Sequence, residues 1–361
     1  MGSKRPLICL GGGARWSNSM DEWLLVVDRC GIPYVSTLMG HERVVARSNY
    51  FNMIGSYGNR EANWAIQNCD LLIVIGARLD VRQTGSDIQD FARNAQIVQI
   101  DIDSAQLRNR VHAALSICAT AESFFAAFAV NSTTFPKLDN KWLLELSQQR
   151  DKAQLNEYEE WEISPSNLFK KLNHILAKHP VEYVCDVGNH QMWAAQSLRL
   201  AANQVVHYSG GMGAMGFAVP AAIGIALQSQ NRVVIVTGDG SIQINIQEMD
   251  TLNRLQLDIT IIVMNNLVLG MVKNFQDMYF DGRNQSTKKG YSSPSFAAIA
   301  LTYGIPAHRV SSASELDRVL PLIAEHKGPM LVEVMMEGAT ECRPRLAFGS
   351  KLDGQFPRVN G

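Results

Sequence analysis

Two stretches of sequence decide the fold, RVVIVTGDGS at residues 232–241 and ITIIVMNN at residues 259–266. Each begins with an apolar run that predicts a strand buried on both faces, and residues 242–254 between them predict a helix. This order predicts neighbouring parallel strands. Asp239 and Asn266 then emerge together at the carboxyl edge of the sheet, where open α/β sheets bind ligands.

The residue types at this edge suit a metal ion and a phosphate. Asp239 offers a carboxylate and Asn266 a carboxamide, which are hard oxygen ligands of the kind that Mg²⁺ prefers. Gly240 lets the backbone approach a phosphate, and the amides that open the next helix favour the same anion. The pattern GDG, 24 residues from Ser241 to Met264, then NN predicts a magnesium diphosphate site. Two unrelated polar turns are the alternative interpretation.

Strands and helices alternate along most of the chain, which predicts an α/β fold of two doubly wound domains with mainly parallel sheets. Residues 1–130 form the first domain, residues 131–163 a linker with a charged connector helix at 141–161, and residues 164–361 the second domain with a C-terminal tail. The predicted strands are residues 6–10, 33–37, 71–76, 96–102, 183–187, 204–208, 233–237, 259–264 and 330–335. Helices are expected at residues 18–30, 59–68 and 191–198 as well.

Composition narrows the class of protein. The chain has 361 residues, of which 46% are apolar, so it is not a disordered polypeptide. Its 33 Lys and Arg balance 34 Asp and Glu, which gives no excess positive charge for binding nucleic acid. The longest weakly polar run, residues 214–227, is too short to span a membrane. The six cysteines stand singly without a CxxC pair, so we expect a cytoplasmic protein without zinc or disulfide frameworks.

The GDG and NN pattern resembles the fingerprint of thiamine diphosphate enzymes related to the acetolactate synthase large, catalytic subunit. The resemblance covers essentially the whole chain. Four further motifs carry it, VGNHQMWAAQ at 187–196, SGGMGAMG at 209–216, GMV at 270–272 and GARLDVRQTG at 76–85. It implies thiamine diphosphate and Mg²⁺ as cofactors, a 2-oxo acid substrate with pyruvate as donor, a homo-oligomer, and a place in branched-chain amino acid biosynthesis.

The resemblance also implies roles for individual residues. The metal would be held by Asp239, Asn266 and the backbone carbonyl of Val268. Met215 would hold the coenzyme bent, and the carbonyl of Gly213 would accept a hydrogen bond from its amino group, so both would serve catalysis. Taken alone, Met215 equally fits core packing. The remaining coenzyme contacts would be made by Gly188, Asn189, His190, Gly238, Gly240, Ser241, Gly270 and Met271. Among these, His190 equally fits a helix cap or the core, and Asn189 replaces the family's usual Gln.

Two residues are candidates for contact with substrate. Arg82 corresponds to the arginine that meets the carboxylate of the second oxo acid, a group that a guanidinium binds bidentately. A surface arginine is the alternative. Phe275 stands where relatives that favour 2-oxobutyrate carry Trp, and Leu269 replaces a usual Gln. A different 2-oxo acid decarboxylase or carboligase with the same domains therefore remains an alternative interpretation.

The family activates its coenzyme with a glutamate from an N-terminal pyrimidine-binding domain, and no carboxylate of this sequence matches it. We therefore expect the chain to represent the middle and C-terminal domains, either as a fragment, as a subunit with a separate pyrimidine-binding partner, or as a non-catalytic binding or assembly module. Residues 191–198 and 209–216 are candidate interface pieces. An NAD-dependent oxidoreductase would rest on α/β alternation alone, without a dinucleotide fingerprint.

FAD is a further possibility, because many acetolactate synthases hold it in the middle domain. The sequence departs from the family at Ser56, Tyr57 and Thr120. The glycines at 11–13 are not a GxGxxG motif, so they are no independent nucleotide signal. Positions compatible with the FAD site are Gly12, Thr37, Leu38, Gly58, Ala77, Arg78, Asp80 and Asp101.

Overall fold

The computed structural model describes residues 2–131, 138–153 and 161–358. They divide into two compact units. One unit holds the described residues up to 153 together with 343–358, and the other holds residues 161–342. Among the described residues, no helix is long and apolar enough to cross a membrane.

The first unit is built on a six-stranded sheet in the order β3-β2-β1-β4-β5-β6, with every described pair parallel. Leu7 and Cys9 enter one core cluster while Ile8 and Leu10 enter another, so the sheet is covered on both faces. The strands are β1 (Pro6–Leu10), β2 (Tyr34–Ser36), β3 (Tyr50–Met53), β4 (Leu71–Ile75), β5 (Gln96–Asp101) and β6 (Leu115–Cys118). The helices are α1 (Met20–Arg29), α2 (Arg60–Asn68), α3 (Val81–Thr84), α4 (Ala121–Asn131) and α5 (Lys141–Ala153).

Helix α5 belongs to the core of the first unit, whereas a connector without an apolar stripe was expected. It packs against α2, and its Trp142 and Leu146 are buried. The indole Nε1 of Trp142 donates to the carbonyl oxygen of Pro6 over 3.0 Å. Two large apolar residues four positions apart on one face are enough to fix this helix on the sheet. Of the expected linker and connector at 131–163, residues 132–137 and 154–160 lie outside the described residues.

The C-terminal tail packs in the first unit, although the sequence assigned it to the second domain. Leu352 is buried in the first unit's core. The backbone N–H of Leu346 donates to the carbonyl oxygen of Ser56 over 2.8 Å, and Gln355 donates to that of Gly58 over 2.6 Å. One apolar anchor and these hydrogen bonds hold a segment that has no regular periodicity.

The second unit is also a six-stranded, all-parallel sheet, in the order β11-β12-β10-β9-β7-β8. Its strands are β7 (Val181–Cys185), β8 (Gln204–Tyr208), β9 (Arg232–Gly238), β10 (Ile259–Asn265), β11 (Ala307–Val310) and β12 (Met330–Met335). Its helices are α6 (Pro165–Ile175), α7 (Asn189–Ser197), α8 (Ala218–Gln228), α9 (Asp239–Ile242), α10 (Glu248–Leu255), α11 (Gly270–Tyr279), α12 (Phe296–Thr302), α13 (Ala313–Val319) and α14 (Leu322–Glu325). The prediction of two doubly wound α/β units with parallel sheets is confirmed.

The helix expected over residues 242–254 is not continuous. It begins as the single turn α9, passes through a 3-10 turn at Gln243–Asn245, and resumes as α10. One turn carries only a small helix dipole, so any anion at its start would depend on individual backbone N–H groups.

Chain order in the second sheet reverses between β7 and β9. After β7 the chain adds β8 on one side, and β9 then lies on the other side. Such a reversal leaves a crevice outside the carboxyl ends of the strands, where open α/β sheets bind ligands.

Candidate cofactor site

A cavity opens at that reversal, at the carboxyl ends of β7, β9 and β10, with about 420 Å³ of empty space including its mouth. Gly238 pairs in register with Met264, which brings the residues after β9 beside those after β10. The cavity is lined by Val187, Gly188, Asn189, His190, Trp193, Met215, Gly238, Asp239, Gly240, Ser241, Met264, Asn266, Val268, Leu269, Gly270, Met271 and Val272. Every predicted coenzyme residue except Gly213 is therefore in this lining.

The β7 end supplies a tight turn into α7. Gly188 has φ +156°, and a Cβ placed on it would lie 2.6 Å from the Cε1 atom of His190. A Cβ there would displace the histidine ring, so glycine suits this close approach. Ser241 closes the turn from the other side, because its hydroxyl donates to the carbonyl oxygen of Val187 over 2.8 Å.

Asn189 and His190 aim unpaired polar atoms into this region. The Oδ1 atom of Asn189 and the Nε2 atom of His190 are buried and have no hydrogen-bond partner among the described residues. Burial lowers the pKa of His190 to about 4, against the opposing charge of Asp186 and a hydrogen bond to its backbone. The ring is therefore neutral at neutral pH. Both residues line the cavity, so a polar ligand there would supply the missing partners.

Asp239 begins α9 and is almost completely buried, at 3% exposure. Burial raises the pKa of its carboxyl to about 6, while hydrogen bonds from Tyr291 and from the backbone of Gly240 and Leu267 act in the opposite direction. A buried carboxylate gains from a nearby cation, because the cation offsets the cost of removing its charge from water.

The β10 end turns sharply at Leu267, which has φ +59°. This left-handed conformation costs about 1–2 kcal/mol for a residue with a Cβ. The strain is held by Asn265, whose Oδ1 atom accepts the Leu267 N–H over 3.2 Å. On either side of Leu267 lie Asn266 and Val268, the two other candidate metal ligands. The Nδ2 atom of Asn266 donates to the carbonyl of Ala339 over 2.7 Å, which orients its side chain.

The donor set fits a hard cation that shares its coordination with phosphate. The described residues contain no group of three His, Cys, Asp or Glu side chains that could hold a metal. Asp239 would instead combine with the amide oxygen of Asn266 and the carbonyl of Val268. Mg²⁺ is commonly bound in this way, by one or two carboxylates with substrate phosphates and water.

The glycine-rich loop after β8 lies at the mouth of the cavity. Met215 lines the cavity and is 39% exposed, while Met212 is 92% exposed. Gly213 has φ +67° and is outside the lining. The loop is held by Asp186, a fully buried carboxylate that accepts the backbone N–H groups of Gly216 and Ala218 over 2.9 and 3.1 Å.

Helix α7 is buried along residues 189–196, so it offers little surface for an interface, in contrast to the exposed loop at 209–216.

Phe275 is 53% exposed on α11, where it packs on Tyr279 with ring centroids 4.8 Å apart. Arg82 lies in the first unit as an exposed residue of α3, with its backbone N–H capped by Asp80 over 2.9 Å.

The candidate FAD positions lie in the first unit, most of them near the carboxyl ends of its strands. A Cβ on Gly11 would lie only 2.1 Å from the carbonyl oxygen of Gly76. The N–H groups of Gly11 and Gly13 donate to the carbonyls of Ile75 and Gly76 over 2.8 and 2.9 Å. Contact between two backbones thus explains Gly11 and Gly13, whereas a Cβ on Gly12 would lie 2.9 Å from the Cβ of Met39.

Sequence reasoning missed several residues of the site. Leu269, which departs from the family's Gln, lines the cavity together with Trp193 and Met264. Tyr291 was not singled out, although its hydroxyl donates to Oδ2 of Asp239 over 3.1 Å. Tyr291 lies in the irregular segment between α11 and α12, and no local pattern marks it.

Two family descriptions match the chain. "Thiamine pyrophosphate enzyme, central domain" covers residues 1–128, and "Thiamine pyrophosphate enzyme, C-terminal TPP binding domain" covers residues 186–334. The resemblance inferred from the motifs is thereby confirmed for both domains.

Similar whole proteins carry the name acetolactate synthase. The large subunit of Cyanidium caldarium is 33% identical over 355 residues, which are 96% of this chain and 60% of that protein. The large subunit of Pyropia yezoensis is 33% identical over 354 residues, with 96% and 59% covered. Acetolactate synthase 2, chloroplastic, of Nicotiana tabacum is 34% identical over 373 residues, with 99% and 55% covered. The chain spans about 60% of the length of these relatives.

Proposed function

The chain belongs to the thiamine pyrophosphate enzymes, and from that premise we propose that it forms the diphosphate-binding side of a Mg²⁺-dependent 2-oxo acid decarboxylase or carboligase of the acetolactate synthase type. One observation carries the proposal. Asp239, Asn266 and the segment Gly188–His190 converge on one cavity at the carboxyl edge of a parallel sheet. Pyruvate is the donor we propose to test first.

The residues of the second unit have separate tasks in this proposal. Asp239, the side-chain oxygen of Asn266 and the carbonyl of Val268 hold Mg²⁺. Asn189 and His190 line the part of the cavity where the diphosphate enters, and each has one polar atom without a partner among the described residues. Because His190 is neutral at neutral pH, it lines this part of the cavity without adding charge.

Met215 and Gly213 shape the other half of the site. Met215 lines the cavity and would support the coenzyme there, and the carbonyl of Gly213 would accept a hydrogen bond from it. When bound, the coenzyme supplies the carbon nucleophile that attacks the 2-oxo acid and stabilises the charge left by the departing CO₂. The chain's contribution is to orient that coenzyme.

We propose Arg82 and Phe275 for substrate recognition. Arg82 would contact a carboxylate of the 2-oxo acid, and Phe275 its apolar part. The reacting groups also need the glutamate that the family draws from a pyrimidine-binding domain, which we propose as the partner. FAD is not part of the proposal. We propose a cytoplasmic homo-oligomer, whose self-association involves the exposed loop at 209–216.

Coenzyme binding tests the metal assignment. Thiamine diphosphate and Mg²⁺ are titrated against the whole chain by calorimetry and by tryptophan fluorescence, since Trp193 lines the cavity. We expect binding that requires Mg²⁺ and that is lost in Asp239→Ala. Asp250→Asn, an exposed carboxylate on α10, is the matched control and should bind as the wild type does. Unchanged Mg²⁺-dependent affinity in Asp239→Ala would contradict the assignment.

A turnover assay distinguishes an enzyme from a non-catalytic binding or assembly module. The chain is mixed with a separately expressed pyrimidine-binding domain of this family, and CO₂ release from pyruvate is measured. Decarboxylation that depends on both components supports the enzyme. Tight coenzyme binding without release from pyruvate or other 2-oxo acids favours the non-catalytic module.

A further inference from the structure

Tyr291 reaches the site from outside the motifs that define it. Its half-buried hydroxyl donates to Oδ2 of Asp239 over 3.1 Å. The same hydroxyl oxygen lies 3.5 Å from the position that a Cβ on Gly240 would take. Tyr291 therefore stands at the point where the proposed metal ligand meets the proposed diphosphate path.

The segment that carries Tyr291 is hydrogen-bonded on both sides of the tyrosine, to the loop after β10 and to the end of β10 itself. Before it, the carbonyl of Thr287 accepts the Leu269 N–H over 2.9 Å. After it, the hydroxyl of Ser293 accepts from the Nδ2 atom of Asn265 over 3.2 Å. An irregular segment held in this way can place a side chain repeatedly in one position, which a loose surface loop cannot do.

The far end of the segment is tied to a buried acid. Glu333 on β12 is fully buried, and its Oε2 atom accepts the Ala297 N–H over 3.1 Å and the Ser295 hydroxyl over 3.3 Å. Its Oε1 atom accepts from Asn265 over 2.8 Å. One carboxylate thus links the end of β10, which leads into the metal ligands, to the start of α12, which follows Tyr291.

We propose that Tyr291 is a positioning residue for the metal, with its hydroxyl fixing the rotation of the Asp239 carboxylate before Mg²⁺ arrives. The inference rests on the proposed function, because it concerns the same metal site. A carboxylate with one oxygen already held by a donor loses less freedom when it becomes a ligand, and partners behind metal ligands commonly contribute to affinity in this way. A ring that served only to pack would not need its hydroxyl on the acid.

Tyr291→Phe tests the inference, because it removes one oxygen atom and keeps the ring. Mg²⁺ is titrated into the whole chain at a fixed concentration of thiamine diphosphate, with tryptophan fluorescence as the readout. We expect the variant to need about 10-fold more Mg²⁺, the lower end of the loss seen when such partners are removed. The shift should be smaller for Ca²⁺, because Ca²⁺ tolerates irregular coordination whereas Mg²⁺ demands near-octahedral geometry.

Tyr303→Phe is the matched control, since Tyr303 is a half-buried tyrosine of the same unit that packs on its core. It should leave the Mg²⁺ requirement unchanged, and neither variant should change the melting temperature without ligands. The inference is overturned if Tyr291→Phe needs no more Mg²⁺ than the wild type. It is also overturned if the variant melts earlier and shifts Mg²⁺ and Ca²⁺ equally, which would indicate a structural role. A wild-type chain that shows no Mg²⁺-dependent coenzyme binding contradicts the proposed function itself.

Discussion

The buried carboxylate of Glu333 accepts a 2.8 Å hydrogen bond from the side chain of Asn265, the residue directly before the candidate metal ligand Asn266. The two consecutive asparagines thus have different tasks. Asn265 fixes the strained turn at Leu267, whereas Asn266 lines the cavity and its Oδ1 atom accepts the Val268 N–H over 3.4 Å. The Asn-Asn pair is therefore one support residue and one candidate ligand rather than two equivalent ligands.

Loss of Glu333 should destabilise the second unit. In Glu333→Ala, the Nδ2 atom of Asn265 and the N–H of Ala297 lose their acceptor in a buried place, and each such loss costs about 1–3 kcal/mol. We expect the free energy of unfolding to fall by about 3 kcal/mol, measured by denaturant titration. Glu325→Ala, at an exposed position of α14, should change it by less than about 0.5 kcal/mol. Equal stability of the two variants would refute the role given to Glu333.

Alanine substitutions at two methionines of the second unit should distinguish an effect on coenzyme binding from an effect on stability. Met249 is fully buried and Met215 is 39% exposed. Met249→Ala should cost about 2–5 kcal/mol of unfolding free energy because it leaves a cavity. Met215→Ala should leave the melting temperature nearly unchanged but weaken Mg²⁺-dependent coenzyme binding. If Met215→Ala instead lowers the melting temperature as Met249→Ala does, Met215 is a core residue.

Asp186 should control the order of the glycine-rich loop. Its carboxylate accepts the N–H groups of Val187, Gly216 and Ala218, whereas an amide has a single acceptor oxygen. In Asp186→Asn we expect faster hydrogen exchange at Gly216 and Ala218, and faster proteolysis near the exposed Met212. Asp250→Asn serves as the control for a change of charge. Identical exchange in Asp186→Asn and the wild type would mean that the loop is held by other contacts.

His190 should make the second unit less stable in acid. Its pKa in the folded chain, about 4, is below the ordinary value of 6.5, so the folded state binds fewer protons at this residue than the unfolded state does. Its effect on stability is therefore constant above about pH 6.5, and it destabilises progressively as the pH falls toward 4. His190→Asn should flatten the fall in melting temperature across this window. His174→Asn, at an exposed position of α6, should keep the wild-type slope.

Local sequence carried the prediction of the sheets and of most of the cavity lining. The strands β9 and β10 are unbroken apolar runs that end in Gly-Asp-Gly and Asn-Asn, so both their burial and their carboxyl ends are visible without a structure. The break between α9 and α10 is not visible, because residues 242–254 contain no glycine or proline that would mark it.

The residues that hold the site in place could not be predicted, because their hydrogen-bond partners lie far away in the sequence. Tyr291 is 52 residues from Asp239, and Glu333 is 68 residues from Asn265. Each joins elements that only the order of strands in the sheet brings together. The burial of helix α5 could not be predicted for a different reason. Its buried face has only Trp142 and Leu146, and the rest of the helix is rich in charged and polar residues.

The return of residues 343–358 to the first unit has a consequence for synthesis on the ribosome. Leu352 completes the core of a unit whose other strands are made more than two hundred residues earlier. Domains that are synthesised first ordinarily fold first. Here the second unit can fold while the first unit still lacks residues 343–358. A cut after residue 342 would therefore remove part of the first unit's core rather than trim the second.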